Sequence, residues 1–115
     1  MTPKELKDRT KRFAVDVIRL SREMPASLGG RTVGHQMIRC GTSVAANYRA
    51  SCRSRSKAEF IAKLGIVEEE ADETLFWLEL AIEAKLVPLE RAQPVLREAD
   101  QLTAIFVASL KTAKR

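Results

Sequence analysis

SKAEFIAKLGIVEEEADETLFWLELAIEA, residues Ser56 to Ala84, is the stretch on which the fold turns. It opens with Ser56-Lys57-Ala58-Glu59, a serine followed three residues later by a glutamate, the form of a helix-starting capping box. Phe60, Leu64, Val67, Ala71, Leu75, Leu78 and Ile82 then recur at steps of three and four, which is one stripe of an α-helix. No proline or glycine cluster interrupts the run, so a single helix is predicted to about Ala84. Gly65 inside it costs about 1 kcal/mol relative to alanine, and close packing against another helix is the expected reason for it.

Working outward, the same grammar repeats on both sides. Thr2-Pro3-Lys4-Glu5 offers a cap, a proline suited to the first helical position and a capping-box glutamate. Leu6, Phe13, Val17, Leu20 and Met24 continue it as a helix that ends at Pro25 and Ala26-Ser27-Leu28-Gly29-Gly30. A second helix is predicted from about Arg31 to Ser54, with Val33, Met37, Cys40, Val44 and Tyr48 as its core stripe. Leu86-Val87-Pro88 marks the next break. The last helix carries Val95, Ala99, Leu102, Phe106 and Leu110, starting near Pro88 with a local distortion at Pro94. Lys111, Lys114 and Arg115 form a basic tail that is the one candidate for disorder. β-branched residues fall at helical spacing, so no strand is expected. Four helices with short connections pack as an all-α, antiparallel up-down-up-down four-helix bundle. At 115 residues the chain is a single domain, residues 1–115.

The Ser56–Ala84 helix has more apolar surface than one bundle position needs. Opposite its core stripe lie Ile66, Phe76, Trp77 and Leu80, interleaved with Glu69 and Glu73. An amphipathic helix of a monomeric bundle carries one apolar face, and a second one marks an interface. A homo-oligomer is expected, with Ile66, Glu69, Glu73, Phe76, Trp77 and Leu80 at the contact. Glu69, Glu70, Asp72 and Glu73 also raise the question of a metal site. Di-metal bundles use Glu-x-x-His, but the only histidine is His35, and Arg31 or Thr32 stands where the glutamate would be. These acids are better matched to arginines such as Arg39 and Arg49 across a helix or subunit boundary.

The net charge of +5 is segregated. Between Met24 and Ala58 there is no acidic residue but six basic ones: Arg31, Arg39, Arg49, Arg53, Arg55 and Lys57. On a helical wheel with about 100° per residue, Arg31, His35, Arg39, Arg49 and Arg53 fall in one arc of about 80°, away from the core stripe. Arg55 and Lys57 extend it into the next turn. A phosphate-tracking surface explains such a face, since the arginine fork gives bidentate phosphate contacts. A solvated face, or pairing with carboxylates of a neighbouring helix, explains it equally. Base stacking needs exposed rings, and the only tyrosine, Tyr48, points at the core. Nucleic-acid contact here would therefore be to the backbone. Gly34, Gly41, Ala45 and Cys52 make a stripe of small residues that invites close approach by another helix, of this chain or of a second copy.

Enzyme chemistry has little to stand on. There is one histidine, no Gly-rich phosphate loop and no metal-ligand spacing. Cys40 and His35 lie about 140° apart on one helix and form no dyad within a chain. Cys40 and Cys52, about 18 Å apart on that helix, are too distant for a disulfide. No cofactor or metal is expected. No apolar run approaches the roughly 20 residues of a membrane span, and the charged start Met1-Thr2-Pro3-Lys4-Glu5 does not resemble a signal peptide. A cytoplasmic protein is expected.

Arg39-Cys40-Gly41-Thr42-Ser43-Val44-Ala45-Ala46-Asn47-Tyr48-Arg49 resembles the central signature of the bacterial four helix bundle protein family, also called the 23S ribosomal RNA intervening-sequence protein family. Arg53-Ser54-Arg55-Ser56 is similar to the basic Arg-Ser end of that signature, and Glu59–Ile66 and Glu69–Leu75 to the family's third helix. Val44-Ala45-Ala46-Asn47-Tyr48-Arg49 replaces the commoner Ile-Pro-x-Asn-Ile-Ala form, so the family's proline distortion is not expected. The resemblance implies a bundle that assembles as a ring, a pentamer in the first instance. It also implies likeness to accessory proteins of diversity-generating retroelements, whose basic surface is thought to meet nucleic acid and a reverse transcriptase. Asn47 is expected to make a buried helix–helix hydrogen bond. The expected function is a non-enzymatic oligomeric module binding nucleic acid, RNA first, through the arginine face. The alternative is a scaffold whose basic face meets an acidic protein partner.

Overall fold

The computed structural model describes all 115 residues and contains four helices. They are α1 (Pro3–Ser21), α2 (Leu28–Ser51), α3 (Lys57–Glu83) and α4 (Leu89–Ala113). Backbone neighbours are α1 with α2, α2 with α3, α3 with α4 and α4 with α1, while the diagonal helices stand farther apart, α2 reaching α4 through the core where the Tyr48 and Phe106 rings lie 5.7 Å apart. With short connections, that square is the up-down-up-down bundle, 44 Å long and 22 by 20 Å across. None of its helices is long and apolar enough to cross a membrane.

The helix starts follow capping chemistry. Thr2 and Glu5 make the full reciprocal box, at 3.1 and 3.2 Å. Ser56 accepts from the Glu59 amide at 3.0 Å, but the return bond is not made, because the Glu59 carboxylate pairs with Lys63. α2 begins three residues before the expected Arg31: Ser27 accepts from the Gly30 amide and caps it ahead of both glycines. It also ends early, at Ser51. The Arg53 and Ser54 amides close short i→i−3 turns there, and Ser54 Oγ donates to the Ser51 carbonyl. α3 ends in a Schellman motif, Leu86 N–H to the Ala81 carbonyl and Lys85 N–H to that of Ile82. Lys85 occupies the left-handed position, at φ 56°, that glycine usually fills. Pro94 sits inside a continuous α4 whose start at Leu89 agrees with the expected one. Both Pro94 and Glu90, whose carbonyl loses its donor, are exposed. The basic tail is not irregular: α4 runs to Ala113 with Lys114 as its cap.

The core holds the predicted stripes of all four helices. Phe13, Val17, Met37, Val44, Leu64, Leu78, Leu102 and Phe106 are essentially inaccessible, whereas Phe60, Leu75 and Ile82 lie half-buried at its margin. The buried hydroxyls of Thr10, Ser51 and Thr74 each donate to a carbonyl three or four residues back in their own helix. The small-residue stripe of α2 has a partner in the same chain. A Cβ on Gly41 would stand 2.9 Å from Val17 Cγ1 of α1. Gly65 departs from expectation, because a Cβ there would meet nothing within 4 Å. Arg9 of α1 clamps α4, its guanidinium donating to both Glu98 oxygens at 2.7 Å and to Gln101 at 2.8 Å.

Candidate nucleic-acid interface

The predicted arginine face does not survive as one surface, because α2 has neighbours on both flanks. Arg39 is turned onto α3. Its guanidinium donates to Glu73 at 2.5 Å and to Glu70 at 3.3 Å, and Gln36 braces its Nε at 2.9 Å. Arg39 is therefore a neutralised structural cation, although its side chain stays 48 % exposed. The same bond to Arg39 holds the Glu73 carboxyl below its ordinary value. Arg49 turns the other way, towards α1, where it lines an open trough with Thr42, Lys4, Lys7, Lys11 and Asp8. Arg53 lies past the helix end, in the α2–α3 turn, and shares a shallow depression with Arg55, Lys63 and Glu59. Arg31 and His35 lie near the opposite end of α2, beside Met24 and Ile38. No carboxylate lies within 4.0 Å of the charged nitrogens of Arg31, Arg49, Arg53 or Arg55. Lys57 donates to the Arg115 main-chain oxygen at 3.0 Å, tying the start of α3 to the end of α4.

What the helical wheel missed is the bundle end. The topology gathers the start of α1, the α2–α3 turn and the end of α4 at one place. Residues 1–8, 49–63 and 108–115 carry ten basic residues and three acidic ones. Nine of the ten are exposed and Lys63 is half-buried. Each of the three acids already has a partner: Glu5 the Thr2 amide, Asp8 Lys4, and Glu59 Lys63. Two helix N-termini and two C-termini share this end, so their macrodipoles largely cancel and side chains set the potential. Cut at the helix midpoints, the half made of residues 1–12, 40–70 and 101–115 holds 13 basic and 6 acidic residues, and the other half 7 and 9. Lys7, Lys111 and Lys114 thus belong to a surface that reading α2 alone does not include. The up-down-up-down order was the available signal, since it fixes which helix ends meet.

The expected oligomer face is narrower than predicted. Trp77 and Leu80 lean onto the core margin, and Trp77 Nε1 points at Glu73 at 3.5 Å. Glu73 is occupied by Arg39 of the same chain. The cause is that α3 packs against both α2 and α4, which widens its buried arc. Ile66 and Phe76 remain 45 % and 55 % exposed, with Glu69 between them and open space over Gly65. Other exposed apolar residues are Val15 and Ile18 of α1, diagonal to α3, and Ile38 of α2. Asn47 makes no helix–helix bond; its amide donates to the Ser43 carbonyl and hydroxyl of its own helix, at 3.0 and 2.7 Å. The Cys40 thiol is buried, donates to the Gln36 carbonyl, and is pushed up by desolvation, the opposite of an activated nucleophile. Burial likewise raises the Tyr48 hydroxyl, which keeps it protonated.

With that geometry in place, the sequence matches the profile of the 23S rRNA-intervening sequence protein family over residues 4–108. Among solved structures, it is similar to a crystal structure from Bacteroides thetaiotaomicron described as a protein of unknown function from the S23 ribosomal protein family. The two share 30 % identity and a TM-score of 0.87, over 96 % of this chain and 99 % of that one. No curated protein sequence matches significantly.

Proposed function

The chain belongs to the 23S rRNA-intervening sequence protein family, and from that footing we propose that it is a non-enzymatic, cytoplasmic module that binds the backbone of nucleic acid, RNA foremost. The observation that carries this reading is the set of exposed arginines without carboxylate partners, Arg49, Arg53 and Arg55, in a segment devoid of acids. Arginine forks grip phosphate bidentately. No aromatic side chain is exposed beside them, so bases are not stacked and sequence is not read. The chain would work as a closed ring of copies, five by family resemblance. Its two apolar patches support a ring. Ile66 and Phe76 are on α3, Val15 and Ile18 on α1, and α1 and α3 are diagonal. Two unlike patches join head to tail, which closes into rings.

The test is binding of the whole chain to RNA across a salt series. Log affinity should fall linearly with log salt, by about 0.7–0.9 per phosphate contact, and Arg49→Glu with Arg53→Glu should weaken binding and flatten that slope. Affinity indifferent to salt, or no binding at low salt, overturns it. Arg39 gives a specific reason to keep a second reading: its guanidinium already donates to the Glu70 and Glu73 carboxylates within the chain, which supports protein carboxylates as partners for the other arginines. An acidic protein partner would then remain bound after nuclease treatment of the complex.

A further inference from the structure

Resting on that reading, we infer that the contact is made end-on, by the basic end of the bundle, and that its ligand is a double helix gripped by both phosphate walls of one groove. Three observations point there. The first is the balance of charge: Lys7, Arg53, Arg55, Lys111, Lys114 and Arg115 stand at this end without carboxylate partners and its three acids are already paired, whereas the cations of the other half lie among nine acidic residues. The unpartnered cations come from α1, the α2–α3 turn and α4, so they surround the end rather than run along a line.

The second is size. The bundle is 22 by 20 Å across, wider than the ~12 Å major groove of B-form DNA and than the narrower major groove of A-form RNA. A cation ring of that width cannot enter a groove, but it spans one and meets phosphates on both sides. A single strand offers one row of phosphates and leaves much of the ring unmatched.

The third is the absence of a stacking platform. Tyr48 is buried and Phe60 half-buried, and they are the aromatic residues nearest the end. Single-strand binders draw about 1–3 kcal/mol per base from such rings. Without them the surface favours a ligand whose phosphates are already fixed in register, which is a duplex. A-form and B-form helices share that chemistry.

The experiment compares the wild-type chain with two variants by fluorescence anisotropy on a 20-bp RNA duplex, the DNA duplex of the same sequence, and the single RNA strand. One variant, Lys7→Glu/Lys111→Glu/Lys114→Glu, lies on the end and outside α2. The other, Arg19→Glu/Arg22→Glu, lies at the opposite end, on exposed positions at the C-terminus of α1. Helical circular dichroism and melting verify that both fold. The wild type should bind a duplex at least about tenfold tighter than the strand, and the arm that binds tighter identifies A-form or B-form as the source. The end variant should lose about tenfold or more, with a salt slope shallower by about 3, and the opposite-end variant should match the wild type. Equal binding of strand and duplex overturns the inference. So does an end variant that binds like the wild type while Arg49→Glu/Arg53→Glu weakens it, an outcome that leaves the α2 reading intact. A wild type that binds none of the three overturns both.

Discussion

At the scale of single residues, three positions separate backbone demands from packing demands. Gly41 is required by its neighbour: an added methyl would press on Val17, which is fully buried and stiff at χ1. Gly41→Ala gains about 1 kcal/mol of helix propensity but overpacks the α1–α2 seam, at about 1–3 kcal/mol. The balance should lower the melting temperature. Gly65 has open space above it, so Gly65→Ala should raise the stability of the isolated chain by about 0.5–1 kcal/mol. Lys85 holds a left-handed conformation with a side chain attached. Lys85→Gly should therefore stabilise by up to about 1 kcal/mol in chemical denaturation, with the denaturant slope unchanged. A loss of stability on Lys85→Gly would mean that the Schellman turn is not what ends α3. None of these distinctions is legible in the sequence. Gly41 and Gly65 both read as helix glycines inviting contact, and only the partner helix decides which one receives it. Nothing in the letters around Lys85 announces a C-cap without glycine.

At the scale of helices, the apolar stripes were legible and the polar seams were not. Periods of three and four fix which face is buried, because burial of every stripe residue acts in the same direction. Whether an exposed arginine leans left or right depends on what flanks it, and a helical wheel holds no flanks. Arg39 and Arg49 share one arc of α2, yet one meets α3 carboxylates and the other α1 lysines. The Arg39–Glu73 pair has a pH signature. Glu73 titrates below its ordinary 4.5 when folded, chiefly through the Arg39 bond. Its contribution is thus present above the unfolded value and is lost as pH falls through the lower folded one. Both side chains are more than one-third exposed, so the effect should stay within about 1 kcal/mol. Arg39→Gln should melt lower than the wild type at pH 7, and the gap should close as pH falls below the ordinary carboxylate range. A gap of constant size across that range would show that the charge pair contributes nothing. The Arg9–Glu98 clamp is more sheltered and bidentate, and α1 and α4 otherwise touch least. Arg9→Ala should cost about 1–2 kcal/mol in denaturant unfolding.

For the whole molecule, chain order does what no single helix can. An even number of antiparallel helices returns both ends of the chain to the side of the α2–α3 turn, so three separate stretches of lysine and arginine become one end. The same order puts α1 and α3 on opposite corners, each with its own exposed apolar residues. If copies join through these corners, the contact is between unlike surfaces, and that has a consequence a two-fold dimer lacks. Phe76→Glu removes one surface and leaves the other whole; Ile18→Glu does the reverse. Each variant alone has no intact pair of surfaces and should run as a monomer in light scattering. Mixed in equal amounts, the two should form a heterodimer, through the α3 corner of the Ile18 variant and the α1 corner of the Phe76 variant. That dimer stops growing, since the surfaces left at its ends are both disrupted. In a two-fold contact of like with like, a charge at Phe76 would sit in every pairing it enters, and no defined heterodimer would appear on mixing. A wild-type chain that scatters as a monomer at high concentration would remove the ring altogether, and would leave Ile66 and Phe76 as exposed residues without an oligomeric role.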